Sequence, residues 1–172
     1  RFDILYATAS PEQLPKLKTD FPVLFPRQFT DSVWLGKLND PLFQEVFTEV
    51  EKNKKQLLAR KQGVYHLFQH IKYYFPKQVI PKVITVISEV DYDNKIIWAD
   101  SLLLVSADTY LGNQHHFYGG IPNYIRQHLD ADYLLPDIAL AFAQQQVPKP
   151  AGRAFLDEMV YHGKIRYLME LL

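Results

Sequence analysis

The chain has 172 residues, 48% of them apolar and 22% charged, so it can bury one core and is not a disordered segment. Nineteen basic and nineteen acidic residues give zero net charge, which argues against a nucleic-acid-binding surface. The absence of cysteine excludes disulfides, thiolate zinc sites and a cysteine nucleophile.

The first 76 residues predict a mainly helical part. Residues 1–6, RFDILY, partly alternate between polar and apolar and predict a short strand or an extended arm. Prolines predict an extended loop over residues 19–29. Asp40 as N-cap and Pro41 at the first helical position predict a helical stretch that runs to Phe75. A run of lysines separates its two apolar stripes, so we expect a break near residue 53.

Residues 77–125 predict a small sheet followed by a polar loop. The segment KVITVISE, residues 82–89, is β-branched and typical of a strand, and residues 95–99 and 102–106 predict two more. Turn residues separate the three strands, which predicts an antiparallel meander. The sheet leads into residues 108–124, DTYLGNQHHFYGGIPNY, here named the central loop. Polar and aromatic loops after a buried strand are frequent places for binding residues.

Residues 126–172 predict helices again. Residues 136–146 are apolar nearly all round and predict a buried helix. Residues 152–172 predict a last helix, with one face made of apolar side chains at spacings of three and four. Gly163 lies on that face, and we expect it to admit a close neighbour. The order of helices, sheet and helices predicts one α+β domain over residues 1–172, mainly helical with a small antiparallel three-stranded sheet in the middle.

Two pairs of histidines are candidate metal ligands. His66 and His70 lie four residues apart on one predicted helix, the spacing of a metal pair. Leu67 stands where a zinc peptidase would have its catalytic glutamate, so we interpret this pair as surface histidines. His115 and His116 in the central loop could orient a ligand, hold a metal or transfer a proton. Adjacent residues seldom point the same way, so we do not expect both to serve one site.

The remaining polar clusters predict turns. Asp91, Asp93 and Asn94 resemble part of a calcium loop, but its glycine and its distal glutamate are missing. No nucleotide-binding glycine motif and no GxSxG nucleophile elbow occurs. The sequence therefore predicts neither a cofactor nor a metal nor a set of catalytic residues.

Seven segments in order along the whole chain carry a family resemblance. They are RFD (1–3), FPVLF (21–25), the stretch 67–76 ending in YYFP, VDY (90–92), DTYLGNQHHFYGGIPNYI (108–125), PDIA (136–139) and FLDEMVYHGKIRYLMELL (155–172). Together they resemble the gliding-motility-associated lipoprotein GldB of gliding bacteria. The resemblance implies a lipid-anchored envelope protein with its body in the periplasm, needed for gliding or the associated secretion machinery. It also implies a lipidated cysteine upstream of Arg1, and we expect the chain to be part of a longer precursor.

A more distant likeness connects the chain with zinc peptidases of the gluzincin type. Those enzymes have HExxH on a buried helix and an acid before a later glycine. Here the buried helix, residues 134–146, has neither His nor Glu, and His162 precedes Gly163. Because zinc hydrolysis needs three protein ligands and a general base, we expect a zincin-like arrangement without the chemistry.

These observations predict a non-catalytic, lipid-anchored, periplasmic protein-binding module whose partners are envelope proteins of the gliding or secretion machinery. Its groove is predicted between the central loop and the helix that carries His162. The alternatives are a metal-dependent hydrolase built from His115, His162 and an aspartate, and a small-ligand sensor for glycans. The predicted groove residues are Asp91, Asp108, Tyr110, His115, Tyr118, Tyr124 and His162.

Overall fold

Helices pack on both faces of a three-stranded sheet in a computed structural model, which describes residues 1–152 and 154–172. The fold is α+β and mainly helical, as the sequence predicts. The strands are β1 (Lys82–Val86), β2 (Ile96–Ala99) and β3 (Leu102–Ser106). The helices are α1 (Phe2–Ala7), α2 (Leu14–Asp20), α3 (Asp31–Leu38), α4 (Pro41–Ala59), α5 (Lys61–Tyr74), α6 (Asn123–Arg126), α7 (Leu134–Gln146) and α8 (Phe155–Leu171).

Alternate residues of the strands serve two separate apolar clusters. Ile84 and Leu104 point toward the N-terminal helices, where they meet a cluster that includes Phe2 of α1 and Phe43 of α4. Leu103, fully buried, points to the other face, where it packs with residues of α5 and α7. A period of two residues therefore divides each strand between the two helical layers.

The sheet is mixed, so the prediction of an antiparallel meander is wrong for one strand. The order is β1-β3-β2: β2 pairs antiparallel with β3, but β1 pairs parallel with β3. Parallel strands end at the same edge of a sheet, and here Ser88, just after β1, lies beside Asp108, just after β3. β1 lies on the far side of β3 from β2.

The N-terminal segment forms helix α1, so the prediction of a strand or an extended arm is wrong. Phe2 and Tyr6, four residues apart, stack with ring centroids 5.7 Å apart and are both buried. Asp3 is also buried, where it pairs with Arg1 and accepts a hydrogen bond from Thr85 of β1. The polar residue that suggested alternation is thus an inward-facing anchor to the sheet.

The long helical stretch breaks at Arg60, and the break expected near residue 53 does not occur. Lys52 and Lys54 each pair with a glutamate three residues earlier on α4, Glu49 and Glu51, so the charge run is satisfied within one helix. Arg60 pairs with Asp132 ahead of α7. The bend therefore lies where the chain turns from one helical layer to the other.

The two C-terminal helices pack against each other. The prediction that α7 is buried is confirmed: Ile138, Phe142 and Ala143 are fully buried. Helix α8 packs on α7 through Ile165, which lies on the side opposite the apolar face singled out in the sequence. Nothing lies within 4 Å of the position that a Cβ on Gly163 would occupy, so the expected close approach there is wrong. No helix of residues 1–152 and 154–172 is long and apolar enough to cross a bilayer.

Candidate functional site

The predicted groove residues divide into a buried group and an exposed group. Asp108, Tyr110 and Tyr118 are at most 1% exposed. Tyr124 on α6 is 71% exposed, and the His162 side chain on α8 is 66% exposed. The central loop is therefore packed into the core at its start, and its exposed side chains come later in the chain.

The carboxylate of Asp108 holds the segment that follows β1. It accepts hydrogen bonds from the backbone N–H of Ser88 at 3.0 Å and of Val90 at 2.6 Å. Glu89 and Val90 have φ values of 60° and 63°, and this left-handed conformation is strained for a β-branched residue. Successive N–H groups in such a turn converge on an anion. Asp108 is thus a structural anchor whose oxygens are already occupied.

Burial raises the pKa of Asp108, and the N–H bonds from Val90 and Ser88 oppose part of that rise. The two buried tyrosines are also committed to internal bonds. The hydroxyl of Tyr118 donates to the carbonyl of Asp108 at 2.7 Å and accepts the N–H of Leu111 at 3.0 Å. Burial raises the pKa of this phenol. These bonds fix the central loop. The Tyr118 hydroxyl both donates and accepts inside the protein and is not exposed to solvent.

Tyr110 lies at the centre of a second internal network. Its hydroxyl donates to Asp137 of α7 at 2.8 Å, and Lys95 pairs with the same carboxylate. Burial, followed by the adjacent Asp137 charge, raises the pKa of Tyr110. The network joins the central loop, the start of β2 and α7, so it positions the loop and does not present a free acid or base.

The two loop histidines point the same way, contrary to expectation. Their rings stack with centroids 4.5 Å apart, and both face α4. The Nε2 atom of His115 lies 3.3 Å from Glu49, and that of His116 lies 3.8 Å from Glu45. The hydrogen bond from Lys52 is the largest cause of the lowered pKa of Glu49, and His115 adds to it. The pair therefore joins the loop to α4 at a partly exposed surface.

The metal site of the alternative hydrolase is not assembled. No group of three or more His, Cys, Asp or Glu side chains that could hold a metal ion occurs in the described part of the chain. His162 lies 3.9 Å from Glu158 of its own helix, and His115 faces Glu49. His66 contacts Gln62 and Gln69, as a surface residue would. Asp91 accepts the N–H of Asp93 and of Asn94, an ordinary turn.

An exposed apolar surface lies on α8, on the face that the spacing of apolar residues singled out in the sequence. Its five side chains are between 46% and 80% exposed, and they lie on one side of the helix at spacings of three and four. The opposite side contacts α7 through Ile165. Because α8 is apolar on both sides, periodicity alone could not decide which side is buried. This surface, here named the α8 stripe, consists of Phe155, Leu156, Met159, Val160 and Tyr167.

A cavity of about 300 Å³ was not predicted at all. It lies under the bend between α4 and α5, above the edge of the sheet and beside α7. The sequence feature that could have indicated it is the pair of apolar stripes in residues 41–75, because both contribute side chains to the walls of the cavity. The apolar residues that line it include Val50, Leu57, Val64, Phe68, Val83, Val105, Leu134 and Ile138.

Comparison with known proteins gives one match. A family model described as gliding motility protein GldB matches residues 1–172. No curated protein and no solved structure matches the chain. The zincin-like arrangement therefore stays a prediction.

Proposed function

The chain belongs to the gliding motility protein GldB family, a family of lipoproteins, and from that premise we propose that it is a non-catalytic protein-binding component of the gliding machinery. In this proposal the folded body lies in the periplasm, held to an envelope membrane by a lipid anchor. Its partners are envelope proteins of the gliding or secretion machinery. The observation that carries the proposal is the α8 stripe.

The α8 stripe has the composition of a protein interface. It combines two aromatic side chains with leucine, methionine and valine, and aromatic residues and methionine are enriched at interface cores. Large contiguous apolar patches on a folded protein mark interaction sites. Covering one such side chain fully contributes about 1.5–3 kcal/mol. Burial of the stripe by a partner would therefore contribute substantially to the free energy of binding.

The groove residues take different roles in this proposal. Tyr124 and His162 are exposed and contribute direct contacts to the partner. His115 joins the central loop to α4. Asp108, Tyr110 and Tyr118 act from inside, since their hydrogen bonds hold the loop in place. Asp91 is exposed and holds its own turn through the N–H groups of Asp93 and Asn94.

Site-specific photo-crosslinking in a gliding bacterium tests the proposal. A photoreactive amino acid at Met159 should form a covalent adduct with an envelope protein, because Met159 lies in the α8 stripe. Val33 on α3 is the matched control: it is 50% exposed, close to the 54% of Met159, but lies outside the stripe and the groove residues. Adducts from Met159 and none from Val33 would support the proposal. Equal adducts from both positions, or none from Met159, would contradict it.

A further inference from the structure

The cavity beneath the bend between α4 and α5 has the features of a ligand-binding site. We propose that it binds a single acyl chain that ends in a carboxylate, as in a fatty acid. This inference is independent of the α8 stripe, which contributes no residue to the cavity.

The cavity is enclosed on three sides by different layers of the fold. Val105 of β3, which is buried, forms its floor, and Val83 of the neighbouring β1, which is exposed, lies at its edge toward solvent. Leu57 and Val64 flank the bend above it. Ile138 of α7, fully buried, closes the inner end. Each contacting element contributes aliphatic side chains, so the walls offer dispersion contacts to a hydrocarbon and no hydrogen bonds.

The polar groups of the inner wall are already paired. Arg1 pairs with Asp3 and Glu51, and the amide nitrogen of Asn53 donates to a carbonyl of its own helix. The hydroxyl of Tyr110 donates to Asp137, and the hydroxyl of Thr85 donates to Asp3. A polar ligand inside the cavity would therefore find no free partner there, and the cost of removing it from water would not be offset. This selects for an apolar tail.

The volume suits one acyl chain. An apolar cavity of roughly 150 Å³ in another protein is large enough for benzene, so the 300 Å³ here holds roughly a dozen heavy atoms. Such a volume is at the lower end of the range for ligand pockets. A chain of about ten to twelve carbons therefore fills the space, with its head group left at the opening.

The opening is basic. The exposed lining residues mark it, and they include Leu58, Lys61 and Tyr65 on the two sides of the bend. Lys54 also lines the cavity, but it pairs with Glu51 at 2.6 Å. Within residues 1–152 and 154–172, Lys61 has no carboxylate partner within ion-pair distance. Its ammonium is therefore available to a carboxylate head group at the opening.

Calorimetric titration of the folded protein with sodium dodecanoate, below its micellar concentration, tests the charge requirement. We expect saturable binding of one equivalent, and much weaker binding of dodecyltrimethylammonium, which has the same chain and the opposite charge. Lys61→Glu replaces an attraction with a repulsion at an exposed site, so we expect affinity to fall about 3- to 10-fold. Lys55→Glu makes the same charge change outside the cavity and should alter affinity less than about 2-fold. Equal binding of the two amphiphiles would overturn the proposal, as would no binding of dodecanoate.

A second experiment tests whether the acyl chain lies in the cavity. Val64→Trp fills the cavity and should reduce dodecanoate affinity more than tenfold, in a variant whose circular dichroism shows the native fold. Intermolecular nuclear Overhauser effects in the wild type need no substitution, and they should connect the chain methylenes with the methyl groups of Val83, Val105 and Ile138. Unchanged affinity in folded Val64→Trp would overturn the proposal. So would Overhauser effects confined to the α8 stripe.

Discussion

Replacing Asp108 with alanine tests whether this carboxylate builds the central loop. The substitution leaves the backbone N–H groups of Ser88 and Val90 without their acceptor. It also leaves Glu89 and Val90 in a left-handed conformation with nothing to offset the strain. The perturbation therefore acts on the segment that joins β1 to β2.

The magnitude follows from the hydrogen bonds that are lost. A buried donor left unsatisfied costs about 1–3 kcal/mol, so two give roughly 2–6 kcal/mol; because these two are part-buried, we expect the lower half of that range, about 3 kcal/mol. A typical domain has a free energy of unfolding of about 5–15 kcal/mol, so the loss is a large fraction of the total. Asp108→Asn keeps an acceptor oxygen and should recover about half of the loss.

Urea denaturation followed by circular dichroism measures this cost, with Asp91→Ala as the matched control. Asp91 accepts two backbone N–H bonds of 3.2 Å in the same connection, but it is exposed. Water can replace those bonds, so we expect a cost below about 1 kcal/mol. Equal losses in Asp108→Ala and Asp91→Ala would refute the assignment of a structural anchor, as would a loss of less than about 1 kcal/mol in Asp108→Ala.

Three further predictions concern buried groups. Tyr118→Phe removes a hydroxyl that both donates and accepts, so it should cost about 2–4 kcal/mol in urea denaturation, while exposed Tyr65→Phe should change stability by less than about 0.5 kcal/mol. Burial raises the pKa of Tyr6 from 10.0 to about 12. Because the folded state holds this proton more tightly, the stability it contributes is complete below pH 10 and is lost as pH rises through about 12. The tyrosinate absorbance of the wild type minus that of Tyr6→Phe reports on Tyr6 alone, and it should titrate near pH 12. Titration near pH 10 in the folded protein would contradict this. Ile165→Glu places a charge against α7 and should cost more than about 3 kcal/mol, whereas Val160→Glu in the α8 stripe should cost less than about 1 kcal/mol; a reversed order in thermal denaturation would show that the other side of α8 is buried.

The positions of the strands could be predicted from the sequence, but their pairing could not. β-Branched residues locate β1, and a short apolar run locates β3, because both patterns are local. β1 pairs with a strand twenty residues further along the chain, and Asp108 contacts Ser88 across the same separation. No local pattern records such a contact, so the sequence favoured the simpler meander.

The prediction of the candidate site from the sequence was limited by a similar ambiguity. Polar and aromatic residues located the central loop, but the sequence did not distinguish a tyrosine that contacts a partner from one that holds the loop. Tyr118 and Tyr124 belong to the same loop, and one is fully buried while the other is 71% exposed. On α8 the apolar residues on both sides made the periodicity uninformative about which side is buried.

Gliding speed in cells that carry Leu156→Glu with Val160→Glu tests the proposed function most directly. Both side chains are exposed, so the folded protein should accumulate at wild-type levels with an unchanged melting temperature. Two carboxylates in the α8 stripe would be buried without partners in an interface, which is strongly unfavourable. We predict that these cells stop gliding while cells with Val23→Glu and Val33→Glu, two exposed side chains outside the stripe, glide normally. Normal gliding of the double variant, at wild-type protein levels, would contradict the account.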